Sequence, residues 1–352
     1  MSQSPHPPTN SSPHTRRPRV YGMVTTAASG EYTAAALDSF IESTELTQQD
    51  LFVLIVNDHH KVDVPQALQQ SCRVILHEHP RSFAENANIC TAIARERSSD
   101  LYFLNNDLIF TPGWAEHLAV PMPVITLPVS NQEFPYEAED FKLLPLMTLE
   151  DYAGKEVLFR RFVAAHQAQK KGYQIVLSPP FFCIRIPLEI LIEVGDFDPT
   201  FGKGGAEDND YAIRTYLKGF AILASRQAYL IHFGGKSTWA GAESAAETRA
   251  RDEAYIFRFR EKWGTKLATL VLRSQLIKRE PQLLNSLPKG LQSATQEGNW
   301  RPVILALARE EKIDCSPFTS PPPSVGAVYV IYDPEPWLHA SYLAIYKHVQ
   351  SV

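Results

Sequence analysis

Residues 101–107 read Leu101-Tyr102-Phe103-Leu104-Asn105-Asn106-Asp107, four apolar side chains running without a break into three polar ones. A short, continuous apolar run of this kind predicts a strand buried on both faces, as in a parallel sheet. The polar residues then fall at its carboxyl end, where open α/β sheets bind their ligands. The same pattern recurs upstream. Residues 19–25 (RVYGMVT) predict a first strand running into Thr25-Thr26, residues 34–43 a helix, and residues 51–57 (LFVLIVN) a buried second strand ending in Asn57-Asp58. Residues 73–77 predict a third strand and residues 83–97 (FAENANICTAIARER) a helix before the quoted segment. Strands alternating with helices predict an α/β fold: a Rossmann-like, mainly parallel central sheet flanked by helices.

A chain of 352 residues with 44% apolar content can build one large domain or two ordinary ones. Its net charge of -5 is spread along the chain, with no basic stripe to meet a nucleic-acid backbone, so no nucleic-acid partner is expected. Residues 1–18, rich in Ser, Pro and Thr, contain no apolar run of signal-peptide length and are expected to be a disordered tail. Apolar stretches such as residues 51–56 and 119–129 fall short of the ~20 residues that cross a bilayer. The expected location is therefore cytoplasmic, with peripheral membrane attachment left open. Cys72, Cys90, Cys183 and Cys315 have no CxxC spacing, which argues against a zinc site and for reduced thiols.

Beyond the first sheet segment, residues 130–171 are polar and then helical from 149 to 169, as an insertion over a site would be. Two short strands are expected within 173–186, around Ser178-Pro179-Pro180, and a long helix at 243–263 closes the unit. A domain over residues 19–268 would then be followed by a helical, Pro-rich linker over 269–325. Residues 326–352, with the strand-like AVYVIY at 327–332, form a strand–helix tail that is too short to bury a core of its own.

Three groups could carry chemistry. Asp107, at a strand end, can supply oxygen ligands to a hard divalent cation, although an Asp there also serves as a turn or cap residue. Gly204-Gly205-Ala206-Glu207-Asp208-Asn209-Asp210 puts three acids at a helix start. They would repel one another unless they meet cations or donors or share a proton; the plainer reading is a helix cap with solvent-facing acids. His232 ends an apolar strand and precedes Phe233-Gly234-Gly235-Lys236-Ser237. That run is no phosphate loop, because Leu230 stands where the motif requires Gly. Lys236 could face phosphate oxygens or simply be exposed.

In this order, the pieces resemble the inverting family 2 glycosyltransferases, of GT-A fold, over residues 19–266. The resemblance rests on Ile55-Val56-Asn57-Asp58, Ser82-Phe83-Ala84 with Asn88, Leu104-Asn105-Asn106-Asp107 with Pro112-Gly113-Trp114, and Val194-Gly195-Asp196-Phe197-Asp198. It continues through Glu207-Asp208-Asn209-Asp210, Arg214, Gly219-Phe220, His232 and Phe259-Arg260-Glu261-Lys262-Trp263-Gly264. It implies a transferase that moves a sugar from a nucleoside-diphosphate donor to an acceptor hydroxyl with inversion. Thr25, Thr26, Asp58, Asn88, Asn106 and Gly205 would bind the nucleotide sugar. Asp107 and His232 would bind Mn2+ or Mg2+ on the diphosphate. Asp208 would be the general base and Glu207 would orient the acceptor or the base. Glycan, lipid-linked or protein acceptors and a part in polysaccharide biosynthesis follow from the family alone. Ser82, where the family has Gly, and Asn105, where it often has an acid, are departures; they leave a catalytically inactive nucleotide-sugar-binding module as the alternative. A nucleotidyltransferase would need a Gly-rich basic loop after the first strand, and residues 25–31 hold one Gly and no Lys or Arg. The tail, with Tyr332-Asp333 and Trp337-Leu338, resembles the opening of a second such domain.

Overall fold

β1 (Arg19–Thr25) lies between β2 (Leu51–Val56) and β4 (Asp100–Asn105), parallel to both, and β3 (Cys72–Leu76) extends the row beyond β2. The computed structural model describes residues 16–131, 147–235, 243–278 and 282–319. Every residue of β1 is buried, as the uninterrupted apolar reading requires, whereas β3 sits at the sheet edge and is half exposed. Beyond β4 the pairing becomes mixed. β8 (Cys183–Ile186) runs antiparallel to β4 and β6 (Ile125–Ser130), and β6 pairs in parallel with the long β9 (Ile222–His232). β5 (Leu108–Ile109) and β7 (Tyr173–Ile175) add antiparallel edges to β9. Among the described residues this makes a nine-stranded curled sheet, mainly parallel in its first half and flanked by helices.

α1 (Gly30–Ser43) starts four residues earlier than its periodicity suggests, because a 3-10 turn at Ala27–Ser29, capped by Thr26, leads directly into it. α2 (Phe83–Glu96) packs so closely on β1 that a Cβ on Gly22 would lie 2.5 Å from Cys90 Sγ. Ser82, the departure from the family's Gly, caps α2 in a reciprocal box with Glu85. α3 (Trp114–Leu118) follows the Pro-Gly-Trp turn, and Trp114 is fully buried against Tyr21, Phe40, Tyr102 and Phe110. The single helix expected over 149–169 is two, α4 (Leu149–Tyr152) and α5 (Glu156–Gln169), separated at Gly154.

α6 (Leu188–Val194), α7 (Glu207–Leu217) and α8 (Ala245–Trp263) complete the sheet domain. The segment expected to be a linker is helical and packs on that domain through α9 (Thr265–Val271), α10 (Lys289–Gln296) and α11 (Trp300–Glu310). Val303, Ile304, Leu307 and Ala308 are buried in the main core, and Phe318 lies 4.9 Å from the Trp263 ring. Glu311 accepts from the first amides of α9, Thr265 at 3.0 Å and Lys266 at 2.7 Å, which satisfies two donors that a helix start leaves orphaned. The tail at 326–352 and all but three residues of the N-terminal segment lie outside the described residues, as does Lys236. No helix among the described residues is long and apolar enough to cross a membrane.

Candidate active site

The carboxyl ends of β1, β2 and β4 are tied by buried polar side chains. Asn106 donates to Ser29 and Thr33, each at 2.7 Å, and reaches Thr25 Oγ1 at 3.4 Å, while Thr25 and Thr33 share a hydrogen bond of 2.6 Å. Thr25 and Asn106 are fully buried, so both work on the loop's shape from within the fold. Thr26 is buried with its hydroxyl 3.0 Å from Ser29 Oγ, at the start of the turn into α1. Asp58 accepts the Ala27 amide with both oxygens at 2.9 Å and pairs with His60. Asn88 is bonded both ways to the Phe197 backbone, at 2.7 and 2.9 Å, and so ties α2 to the loop before α7.

Asp107 and His232 meet across the β5–β9 pairing. Leu108 lies opposite His232 in register, the Phe233 amide donates to the Asp107 carbonyl at 3.0 Å, and the two side chains stand 3.3 Å apart, Nε2 to Oδ1. Phe182 stacks on the imidazole at 4.8 Å, and Asn131 accepts the His232 amide at 2.8 Å. Asp107 is fully buried, and a buried carboxylate is costly unless it is paired or hydrogen-bonded. Two donors held ~2.1 Å from one divalent ion at a right angle lie ~3 Å apart, so the separation of this oxygen–nitrogen pair suits a shared cation. No group of three or more His, Cys, Asp or Glu among the described residues could hold a metal. The protein pair would therefore need oxygens from a ligand or water to complete an ion's shell.

The acids of α7 divide by their partners. Asp210 is fully buried and bonded to Trp263 Nε1 at 2.8 Å, Arg214 Nε at 2.8 Å and Lys262 Nζ at 2.6 Å, which makes it structural. Glu207 accepts the Gly205 amide at 2.5 Å, and Asp208 accepts the Asn209 amide at 2.7 Å. The plainer alternative of solvent-facing acids does not hold: Glu207 and Asp210 are buried and Asp208 is half-buried. Burial, followed by the neighbouring Asp208 charge, pushes the Glu207 carboxyl up to about 7. Burial also raises Asp208 above its ordinary value, opposed by Arg273 and by backbone amides that favour its charged form. Two adjacent carboxyls that resist double ionisation can hold and pass one proton. Gly205 is required here: its φ is +126°, and a Cβ would lie 2.3 Å from the Tyr255 ring.

A cavity of about 240 Å3 opens at this point, lined by Asn105, His232, Glu207 and Asp208 together with Arg81 and the aromatic walls Phe83, Phe181 and Phe182. Of the residues singled out in the sequence, Glu207, Asp208 and His232 therefore share one cavity, and Asp107 stands directly against His232. Thr25, Thr26, Asp58, Asn88, Asn106 and Gly205 are not among its walls. Sequence reasoning missed Arg81, Phe181 and Phe182. Arg81 carries only the weak signal of a cation just before a helix cap, and the two Phe follow a Pro-Pro turn that marks a loop without saying what it faces.

The architecture is the GT-A glycosyltransferase fold. In solved structures, GalNAc-T7 with UDP, GalNAc and Mn2+ superposes with a TM-score of 0.53 at 15% sequence identity, over 85% of this chain and 58% of that one. The chain thus spans less than two thirds of that protein. S. aureus TarS 1-349 in complex with UDP gives a TM-score of 0.43 at 16% identity, over 84% of this chain and 88% of that one. No protein-family model and no curated protein matches the sequence.

Proposed function

We propose that the chain is a glycosyltransferase that moves a sugar from a nucleoside-diphosphate donor to an acceptor hydroxyl with inversion, as the family 2 resemblance implies. The observation that carries this reading is the convergence of Asp208, Glu207 and His232 on one cavity, with Asp107 3.3 Å from His232. Asp107 and His232 would hold Mn2+ or Mg2+, which when bound neutralises charge on the diphosphate. Asp208 takes the proton of the acceptor hydroxyl. The acceptor oxygen bonds to the anomeric carbon from the side opposite the diphosphate, whose oxygen leaves with the electron pair of the broken bond. Glu207, with its raised proton affinity, orients the acceptor or shares the abstracted proton with Asp208. Phe83, Phe181 and Phe182 give the cavity apolar walls that exclude water from the reacting carbon. Asp58, at the end of β2, would accept from the nucleobase, while Thr25 and Asn106 shape the loop that supports it. UDP is the nucleotide to try first, since it is the one found in GalNAc-T7.

The test is a thermal-shift screen of UDP-, GDP- and dTDP-sugars with and without Mn2+, since a ligand that binds only the folded state raises its melting point. A donor that stabilises the chain only with Mn2+ supports the reading. No shift with any donor would end it. Donor binding without sugar transfer would make the chain a nucleotide-sugar-binding module of the same fold.

A further inference from the structure

The helical extension reaches Asn209, the neighbour of the candidate base, from outside the sheet domain. α9 ends at Val271, whose carbonyl accepts the Ser178 hydroxyl at 2.6 Å and the Asn209 side-chain amide at 3.3 Å. Asn209 also donates to Ser178 Oγ at 2.9 Å. Three segments distant in sequence therefore meet at the residue next to Asp208: the Pro-Pro turn, α7 and the end of α9. The chain then continues through Leu272, buried, to Arg273, whose guanidinium donates to the Ser178 carbonyl at 2.7 Å. Ser274 binds Asp252 of α8 at 2.7 Å and so anchors this stretch from the other side. Ser178 opens the turn that leads to Pro180, Phe181 and Phe182, three walls of the cavity.

We propose that Arg273 is a positioning residue for Asp208: through the Ser178 carbonyl it holds the turn at residues 178–182 against Asn209 of α7, and its positive charge acts on the neighbouring carboxylate. This deepens the proposed function, in which Asp208 is the base. The charged and titratable groups around Asp208 are Glu207 on its own helix, Tyr255 and Arg251 from α8, Arg81 and His232 across the cavity, and Arg273 from the extension. Arg273 is the foremost influence opposing the effect of burial on Asp208, and its field favours the ionised form. Arg273 is itself exposed, so replacing it leaves the core untouched.

The experiment uses the full chain with 13C-labelled aspartate carboxyls, the Asp208 signal being assigned by its loss in Asp208→Asn. In Arg273→Gln the Asp208 titration midpoint moves to higher pH, and in Arg273→Lys it stays near wild type because the charge remains. In parallel, UDP release from a panel of UDP-sugars at pH 7 should fall about tenfold in kcat for Arg273→Gln, with donor KM within about twofold. A titration in Arg273→Gln that superposes on wild type overturns the proposal, whatever the activity. Should wild type release no UDP from any donor, the transferase reading fails, and the titration, which needs no substrate, still decides the role of Arg273.

Discussion

His232 Nε2 stands 3.3 Å from Asp107 Oδ1 because Leu108 and His232 are register partners in the short β5–β9 ladder. Backbone pairing brings the two residues together, and the Phe182 ring stacked on the imidazole helps hold the spacing of the proposed cation site. His232→Ala should abolish the Mn2+-dependent part of the melting-point rise given by UDP while leaving the metal-free melting point close to wild type. At a ligand concentration 100 times Kd that part corresponds to about 2.7 kcal/mol, which a thermal-shift titration resolves. An unchanged Mn2+ response in His232→Ala would remove the histidine from the site.

Asp208→Asn keeps the shape of the cavity and removes the proposed base. Nucleotide-sugar binding should persist and transfer should drop by ~10² to 10⁴, the usual contribution of a positioned base. Steady-state kinetics beside calorimetric binding of the same donor would separate the two effects.

Glu207 links pH to stability. Its ordinary value is 4.5 and the folded value is about 7, so the native state holds a proton that the unfolded chain has already released. Stability is therefore lost as pH rises from about 4.5 to about 7. Glu207→Gln should be the more stable protein at pH 8, by about 1 to 3 kcal/mol, and show little advantage at pH 4. Urea unfolding at both pH values measures this; equal differences at the two would contradict the buried-carboxyl account.

Gly205→Ala forces a Cβ into the Tyr255 ring at a backbone conformation that side chains rarely adopt. A loss of about 1 to 3 kcal/mol is expected. Adding Tyr255→Ala should relieve the clash but not the backbone strain, so a double-mutant cycle reads the coupling.

Leu307→Ala tests whether the helical extension belongs to the folded unit. Leu307 is fully buried in the main core, and truncation should cost about 2 to 5 kcal/mol in a single cooperative transition. A separate, earlier transition would instead mark the extension as an independent piece.

Local chemistry made much of the fold legible. Unbroken apolar runs such as residues 51–56 and 101–104 suit strands buried on both faces of a sheet, and Pro-Pro, Pro-Gly and Ser caps punctuate what lies between. The candidate acids and His232 were legible as polar residues at strand and helix ends. Their division of labour was not: Glu207, Asp208 and Asp210 occupy one short helix start, and beyond the i,i+4 pair with Arg214 only tertiary contacts bind Asp210 to Trp263 and Lys262 while leaving the other two on the cavity. The burial of Thr25 and Asn106, the aromatic walls and the reach of Arg273 to the Ser178 turn were equally closed to sequence reading. Periodicity and capping are properties of neighbours along the chain, and so the amino-acid order alone determines them. Which side chain faces the cavity, and which distant segment supplies its partner, depends on how sheet, helices and extension close on one another.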